Sequence, residues 1–388
     1  MPDKRALLIV HSYYLRDTRP RRHAAALAGE GWKIDVVCAR AEGERARERI
    51  GGVTVHRLPA RRRRGTKSRY ILEYVSFAVL AFAYATWLSV RRTYRVAYVV
   101  GIPNFIVFAA FVPKLLGARV ILDMRDPLPE FFMSKYRLSA RAPLVRALRL
   151  EERVSGSFAT DVMTVVPSMA RLYERSVPAS KVTVVMNAPD PKMFAAEPRE
   201  PGVGRTMLYT GTVSEHYGID LAVRALARLR DEIPALRLRV VTKNVREEGV
   251  ESLRALAQGE GVADRVAIEP PVPLVDVPSL IADAWVGVQP NRPDPLMEFS
   301  LSQKILEWVL AGLPVICGRT RALVDALGED ALSFHEAGDL DGLCARIREA
   351  HAEASPLVAR AARARAAVEA IGYDEQIRVL RNLFEGSI

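Results

Sequence analysis

Lys304 and Glu307 stand three residues apart in the run Phe299-Ser300-Leu301-Ser302-Gln303-Lys304-Ile305-Leu306-Glu307-Trp308, which continues to Gly312 and an apolar Val315-Ile316. The run reads as a short polar loop, a helix start, an apolar helix, a glycine stop and a strand. The first N–H groups of a helix lack intrahelical partners and suit a phosphate. The amides of Ser300, Leu301 and Ser302 lead into that end, and Lys304 adds a positive charge. Glu307, at i+3, falls on nearly the same face, where a carboxylate behind a phosphate can hold the hydroxyls of a ribose. An amphipathic helix with a salt-bridging glutamate would carry the same residues. A second candidate is Leu208-Tyr209-Thr210-Gly211-Thr212, a strand followed by a glycine turn. Gly211 allows close backbone approach to a phosphate, and the loop amides can cradle it. No GxGxxG follows a strand and no GxxxxGK[ST] occurs, so the common dinucleotide and P-loop sites are not supported. Arg125 and Asp126 follow another strand directly, and His11 ends the first one. An arginine cannot exchange a proton near neutral pH, so Arg125 would orient a phosphate or a hydroxyl.

These residues need a frame. Short apolar strands alternate with helical stretches along the whole chain, the pattern of parallel sheets flanked by helices. The first half predicts strands over Ala6–Val10, Ile34–Cys38, Val53–Arg57, Val96–Val100, Arg119–Asp123, Val162–Val165 and Val182–Val185. A stretch rich in Pro and Gly, Pro198 to Gly204, reads as a linker. The pattern then restarts at Thr206–Thr210. The expected fold is α/β: two doubly wound, Rossmann-like domains facing a central cleft. The expected boundaries are 1–195, 204–371, and a C-terminal helix over 372–388 that packs back on the first domain. Ligands of such sheets bind at the carboxyl ends of the strands.

The net charge of +11 is unevenly spread. Residues 1–190 hold 33 Lys+Arg and 16 Asp+Glu, a balance of +17; the remaining 23 and 29 give −6. Such a split suggests that the N-terminal half faces something anionic: a nucleic acid, an anionic membrane or phosphorylated substrates. Its densest cluster, Arg61-Arg62-Arg63-Arg64, precedes Tyr70–Val90, about twenty residues whose only charge is Glu73. That stretch fits a domain helix, a helix lying on a membrane, or a span. An anionic membrane surface is the expected partner of residues 61–95. No nucleic-acid motif accompanies the arginines, so no nucleic acid is expected. Cys38, Cys317 and Cys344 are far apart, which fits a reducing compartment. The five apolar residues Ala6 to Val10 are too few for the core of a signal peptide. Six scattered histidines and no HExxH give no metal site. Asp339-Leu340-Asp341 begins a helix, where capping explains it.

Four further segments join the Lys304 helix in one resemblance. Gly211-Thr212 followed by Tyr217-Gly218-Ile219-Asp220, Asp123-Met124-Arg125-Asp126-Pro127-Leu128-Pro129-Glu130, Asn187-Ala188-Pro189-Asp190 with Phe194, and Asp17-Thr18-Arg19-Pro20-Arg21-Arg22 occur in family order. Together they resemble glycosyltransferases of the GT-B architecture, family 4 type. Two departures are visible. The paired glutamates of that family, eight positions apart, survive only at Glu307, because Phe299 takes the first place and Glu298 stands one residue early. A basic pair of the first donor loop is replaced by Thr212 and Tyr217. The resemblance implies sugar transfer from a nucleotide-sugar, with retention, without a metal or cofactor. Positive charge beside the apolar Tyr70–Val90 stretch suggests a lipid-linked or membrane-presented glycan acceptor at the cytoplasmic face of the cell membrane. The resemblance implies catalysis by Arg125, Asp126, Lys304 and Glu307. It implies donor binding by Gly211, Thr212, Ser302, Lys304 and Glu307, and acceptor binding by Arg16, Arg19, Arg125 and Asp126. With the basic pair missing, the diphosphate charge would fall to Lys304, the Ser300, Leu301 and Ser302 amides, and Arg292 or Lys243, while His11 joins the acceptor side from its place at the end of the first strand. A nucleotide-sugar epimerase or hydrolase, or a non-catalytic subunit of a glycan pathway, would share these features.

Overall fold

The computed structural model describes residues 4–60, 67–194, 205–243 and 247–386. The chain divides into Met1–Met186 with Asp374–Ile388, and Asn187–Tyr373. The Arg61–Arg64 cluster and the linker expected at Pro198–Gly204 lie outside the described residues.

In the first unit the strands are β1 (Arg5–Val10), β2 (Lys33–Ala39), β3 (Arg47–Ile50), β4 (Val53–Leu58), β5 (Val96–Val100), β6 (Arg119–Asp123), β7 (Asp161–Thr164) and β8 (Val182–Val184). They form one sheet in the order β3-β4-β2-β1-β5-β6-β7-β8. All pairs are parallel except β3 with β4. β3 was not anticipated, since its sequence Arg-Glu-Arg-Ile carries charges where a strand signal would be apolar. The helices are α1 (Thr18–Gly29), α2 (Lys67–Arg91), α3 (Phe111–Leu115), α4 (Leu128–Tyr136), α5 (Pro143–Phe158) and α6 (Pro167–Tyr173). A 3-10 helix, Asn104–Ala110, runs into α3. α4 was also unforeseen: it follows Pro127 and holds Pro129 in its first turn, and those prolines read as loop.

Right-handed crossovers decide which face each helix covers. The step from β1 to β2 runs one way along the sheet, and the steps β4 to β5, β5 to β6 and β6 to β7 run the other way. So α1 lies on one face, and α2, α3 and α5 share the opposite one. Alternate strand residues Ala6, Leu8, Val10, Ile34, Val36, Tyr98 and Val100 pack with Ala24 and Leu27 of α1. Within the stretch Tyr70–Val90, Phe77, Ala81, Ala85 and Leu88 are buried on one side of α2.

The second unit holds α7 (Pro191–Phe194), β9 (Arg205–Thr210), α8 (Ile219–Leu229), β10 (Leu236–Val241), α9 (Glu248–Gly259), β11 (Val266–Glu269), α10 (Val277–Ala282), β12 (Val286–Gln289), α11 (Gln303–Leu310), β13 (Val315–Gly318), α12 (Arg321–Leu327), β14 (Ser333–His335), α13 (Leu340–Ala352) and α14 (Ala354–Ile371). Its sheet, ordered β11-β10-β9-β12-β13-β14, is parallel throughout. The order reverses between β9 and β12, and ligands gather at such switch points. The last helix, α15 (Tyr373–Glu385), returns to the first unit, where Leu380, Leu383 and Phe384 join the core on the α1 face.

Candidate functional site

The second unit places its candidates around the carboxyl ends of β9 and β12. Gly211 follows β9 with φ +129°, a conformation that L side chains rarely adopt, and a Cβ there would collide with the Lys304 ammonium. Lys304 is the second residue of α11. The N-cap of that helix, Ser302, makes no capping bond to it, so the first-turn N–H groups have no side-chain acceptor. Instead the Ser302 hydroxyl donates to Gln289 Oε1 at 2.9 Å. Gln289 Nε2 donates to Asn291 Oδ1 at 3.1 Å, and Asn291 Nδ2 donates to the Gly318 carbonyl at 3.1 Å. This buried chain ties the loop before α11 to β12 and β13. Asn291 also donates its N–H to the Tyr217 carbonyl at 3.0 Å, and Arg292 to the His216 carbonyl at 2.9 Å. Those bonds set the Tyr217 ring 4.9 Å below the Lys304 Nζ, with the Tyr209 ring 5.1 Å away.

Lys304 and Glu307 are half-buried, and among the described residues neither side chain makes a hydrogen bond or ion pair. Burial lowers the Lys304 ammonium to about 8, with Glu307 opposing the shift. Burial likewise raises the Glu307 carboxyl to about 7, opposed by Lys304. The tyrosine faces give the ammonium a weak cation–π contact, and among the described residues no carboxylate comes within ion-pair distance of it. An ammonium and a carboxylate one helical turn apart, beside open helix amides, offer a phosphate on one side and a hydroxyl acceptor on the other.

Arg292 Nη2 meets Asp220 Oδ2 at 2.5 Å in the first turn of α8. The spacing alone could not reveal that partner. Lys243 is exposed beside residues 244–246, which lie outside the described residues. Thr212 is exposed, and its carbonyl accepts from the Tyr209 hydroxyl at 2.6 Å. Ser300, Leu301 and Ser302 line the approach to α11 and are half-buried. Glu298 accepts from the Arg321 N–H at 3.2 Å, while Phe299 is buried under the Arg321 guanidinium. Tyr209, Tyr217, Gln289 and Asn291 were not foreseen. A Tyr in a strand reads as core, and only the loop's pairing across the sheet gives them their positions.

The first unit treats its candidates differently. Arg125 Nη1 and Nη2 donate to Asp17 Oδ1 and Oδ2 at 3.0 Å each, a bidentate pair. Arg19, expected to bind the acceptor, is buried: Nε donates to Asp123 Oδ2 at 3.1 Å and Nη1 to the Val185 carbonyl at 3.0 Å. The Tyr98 hydroxyl donates to the same Asp123 oxygen at 2.7 Å, and His23 Nδ1 lies 3.1 Å from that hydroxyl. Arg19 thus knits α1 to β6 rather than facing a ligand. His11 is buried, its ring against Tyr74 and Phe77 and its Nε2 3.5 Å from Glu73 Oε1. Arg16 is exposed with its guanidinium over the Tyr13 ring. Asp126 is the exception. Among the described residues its carboxylate has no hydrogen bond or ion pair, and burial raises its pKa against the pull of Arg125.

Among the described residues no group of three His, Cys, Asp or Glu could hold a metal ion. Asp339 caps α13 by accepting from the Asp341 N–H at 3.0 Å, as its sequence context implied.

Residues 17–188 match the family described as glycosyl transferase 4-like domain, and residues 204–353 match glycosyl transferases group 1. A D-inositol 3-phosphate glycosyltransferase of Acidothermus cellulolyticus is 30% identical over 166 residues, which is 41% of this chain and 36% of that protein. The match thus spans little more than a third of the curated relative. Among solved structures, sucrose-phosphate synthase of Thermosynechococcus elongatus superposes with a TM-score of 0.78 at 17% identity, covering 99% of this chain and 98% of that one. HepE of Anabaena, solved in complex with UDP, gives 0.70 at 14% identity, covering 98% and 99%. With both units matched in order, the chain belongs to the group 1 glycosyltransferases, of family 4 type and GT-B architecture.

Proposed function

We propose that this glycosyltransferase moves a sugar from a nucleotide-sugar to a lipid-linked or membrane-presented glycan, at the inner face of the cell membrane. The transfer retains anomeric configuration and uses no metal. The observation that carries the reading is the Lys304–Glu307 pair, without a hydrogen bond or close ion pair among the described residues, beside the start of α11 that Ser302 leaves uncapped. Fixed donors at the place where charge develops are the strongest device available to such a site. The bond from the anomeric carbon to the diphosphate oxygen breaks, and the new negative charge on that oxygen is met by Lys304 and the α11 amides. Glu307 accepts hydrogen bonds from the ribose hydroxyls. The acceptor oxygen bonds the anomeric carbon, and its proton passes to the departing diphosphate. Asp126 orients that hydroxyl, and Arg125, held by Asp17, frames it. HepE was solved with UDP, so uridine diphosphate heads the list of bases to test.

A thermal-shift panel of UDP, GDP, ADP, CMP and dTDP with their common sugars tests the donor site. A ligand at about a hundred times its dissociation constant adds roughly 2.7 kcal/mol of stability. A shift with one nucleotide, lost in Glu307→Ala, supports the site and names the base. Absence of any shift in folded protein overturns it. Release of free sugar without acceptor, unchanged by added lipid-linked glycan, would instead mark a hydrolase.

A further inference from the structure

We infer that the α2, α3 and α5 layer is a composite docking face for an anionic lipid bilayer, on which the protein lies without crossing it. The inference rests on the reading of the acceptor as membrane-presented and specifies how the protein would reach it.

The helix over Ile71–Arg91 is long and apolar enough to cross a membrane by length and composition alone. Its inner face is already engaged. Phe77, Ala81, Ala85 and Leu88 are buried in the first unit. The Tyr84 hydroxyl lies 3.0 Å from His56 Nδ1, and His56 Nε2 lies 2.9 Å from Asp35 Oδ1. Asp35 also accepts from Arg92 and Tyr94. Crossing a bilayer would strip these contacts away and leave Asp35 buried with fewer partners. The outer face is apolar as well. Val75, Val79, Phe82, Trp87 and Val90 are exposed at helical spacing, Val79 by 62% and Val90 by 71%. A helix apolar all round calls for a second covering surface.

The neighbours extend that surface. Phe108, Phe111 and Leu115, on the segment from Asn104 to α3, are exposed. Phe108 and Phe111 pack on Phe158, which ends α5. On α5 itself Leu150 and Val154 are exposed, by 60% and 48%, with Arg146 and Arg153 exposed on the same stripe. The faces of three consecutive crossovers thus form one apolar area, well beyond the scatter of single exposed apolar residues.

Charge selects the occupant. Arg91, Arg141, Arg146 and Arg153 are exposed around this area. The acids on α2 and α5 turn inward: Glu73 towards His11, Glu151 to the Phe105 N–H at 2.6 Å, and Glu152 to Arg175. A rim of cations with its acids withdrawn repels a second copy of itself and attracts anionic headgroups. Arg91 stacks over Trp87 at 4.4 Å, a pair suited to the headgroup level. The contact between Glu73 and His11 sets one end of this helix against the carboxyl end of β1, so a docked bilayer would lie next to the acceptor candidates.

The test is co-sedimentation of the full chain with vesicles of phosphatidylcholine alone and with phosphatidylglycerol added. Binding should rise steeply with phosphatidylglycerol and fall with salt. Arg146→Ala with Arg153→Ala should weaken it about 30-fold, from about 1 kcal/mol per surface charge. Leu150→Ser with Val154→Ser should weaken it too, and the nucleotide thermal shift should stay unchanged in both. These four positions are exposed, so folding should survive, and near-ultraviolet circular dichroism checks it. No binding to anionic vesicles overturns the inference, as does equal binding by the α5 variants. A dimer in sedimentation velocity that those variants dissolve would assign the face to a second copy. Resistance to carbonate extraction would assign it to a span. Because nucleotide shifts are read separately, failure here and failure of the donor site are distinguishable.

Discussion

The charged candidates of the two units are handled in opposite ways. In the first unit Arg19 is closed on Asp123 and the Val185 carbonyl, and Arg125 is closed on Asp17. In the second unit Lys304 and Glu307 lie a turn apart, half-buried, and among the described residues neither makes a hydrogen bond or close ion pair, Lys304 meeting only the faces of Tyr209 and Tyr217. A desolvated charge with its hydrogen bonds satisfied is settled by the fold and costs dearly to disturb. A desolvated charge left open is a cost the fold carries by itself, and perturbed groups of that kind gather where a ligand relieves them. Residue type and spacing nominated all four. Their satisfaction, which only the packing reveals, divides structure from chemistry.

The division breaks most easily at Arg19. Arg19→Ala should leave Asp123 buried with the Tyr98 hydroxyl as its remaining side-chain donor, and should cost about 3–5 kcal/mol. Urea unfolding measures that. An unchanged midpoint with a raised acceptor KM would return Arg19 to the ligand. Next comes Lys304→Met, which keeps the bulk and removes the charge. It should lower kcat/KM by about 10²–10³-fold without lowering the melting temperature of the ligand-free protein, because no ion pair is lost. A drop in melting temperature comparable with that of Arg19→Ala would erase the contrast between the units.

Much of this was legible in the residues. Among the described residues the period of apolar runs located every strand but β3, because parallel strands buried on both faces are nearly continuous apolar runs. It missed β3, whose arginines face outward on an antiparallel edge. The helix start at Ser302 was readable from its polar loop, and with it the placement of Lys304 and Glu307. Long-range pairing was not readable. Asp220 lies 72 positions from Arg292 and Asp123 lies 104 from Arg19, and nothing local marks either partner. The tyrosines around Lys304 were hidden for the same reason: loops after β9 and β12 meet only because the sheet places those strands side by side.

Asp126 tests the contrast from inside the first unit, since it is half-buried and among the described residues makes no hydrogen bond or ion pair. Asp126→Asn should reduce kcat by about 10²-fold, the lower range for a positioned side chain acting on a proton. The nucleotide thermal shift should match the wild type. A loss of stability instead of rate would place Asp126 with Arg19 and Arg125 as a settled charge.

The smallest effect is carried by protons. Lys304 sits at about 8 in the ligand-free fold against an ordinary 10.5, and Glu307 at about 7 against 4.5. Between the two lysine values the unfolded chain holds the extra proton, so stability from Lys304 rises as pH climbs from 8 towards 10.5. Between the two glutamate values the native state holds it, so stability from Glu307 falls as pH climbs from 4.5 to 7. The open pair therefore costs the fold most between 7 and 8, where both groups are charged. A diphosphate beside Lys304 restores its ordinary affinity for a proton, and ribose hydroxyls donating to Glu307 favour its ionised form. Nucleotide binding should take up a fraction of a proton at about pH 8.5 and release a fraction at about pH 6.5. Calorimetry in buffers of unequal ionisation enthalpy reads that exchange. Lys304→Met should abolish the uptake and keep the release. Binding with no proton exchange at either pH would mean that the nucleotide does not touch the pair, and the open charges of the second unit would then need another ligand.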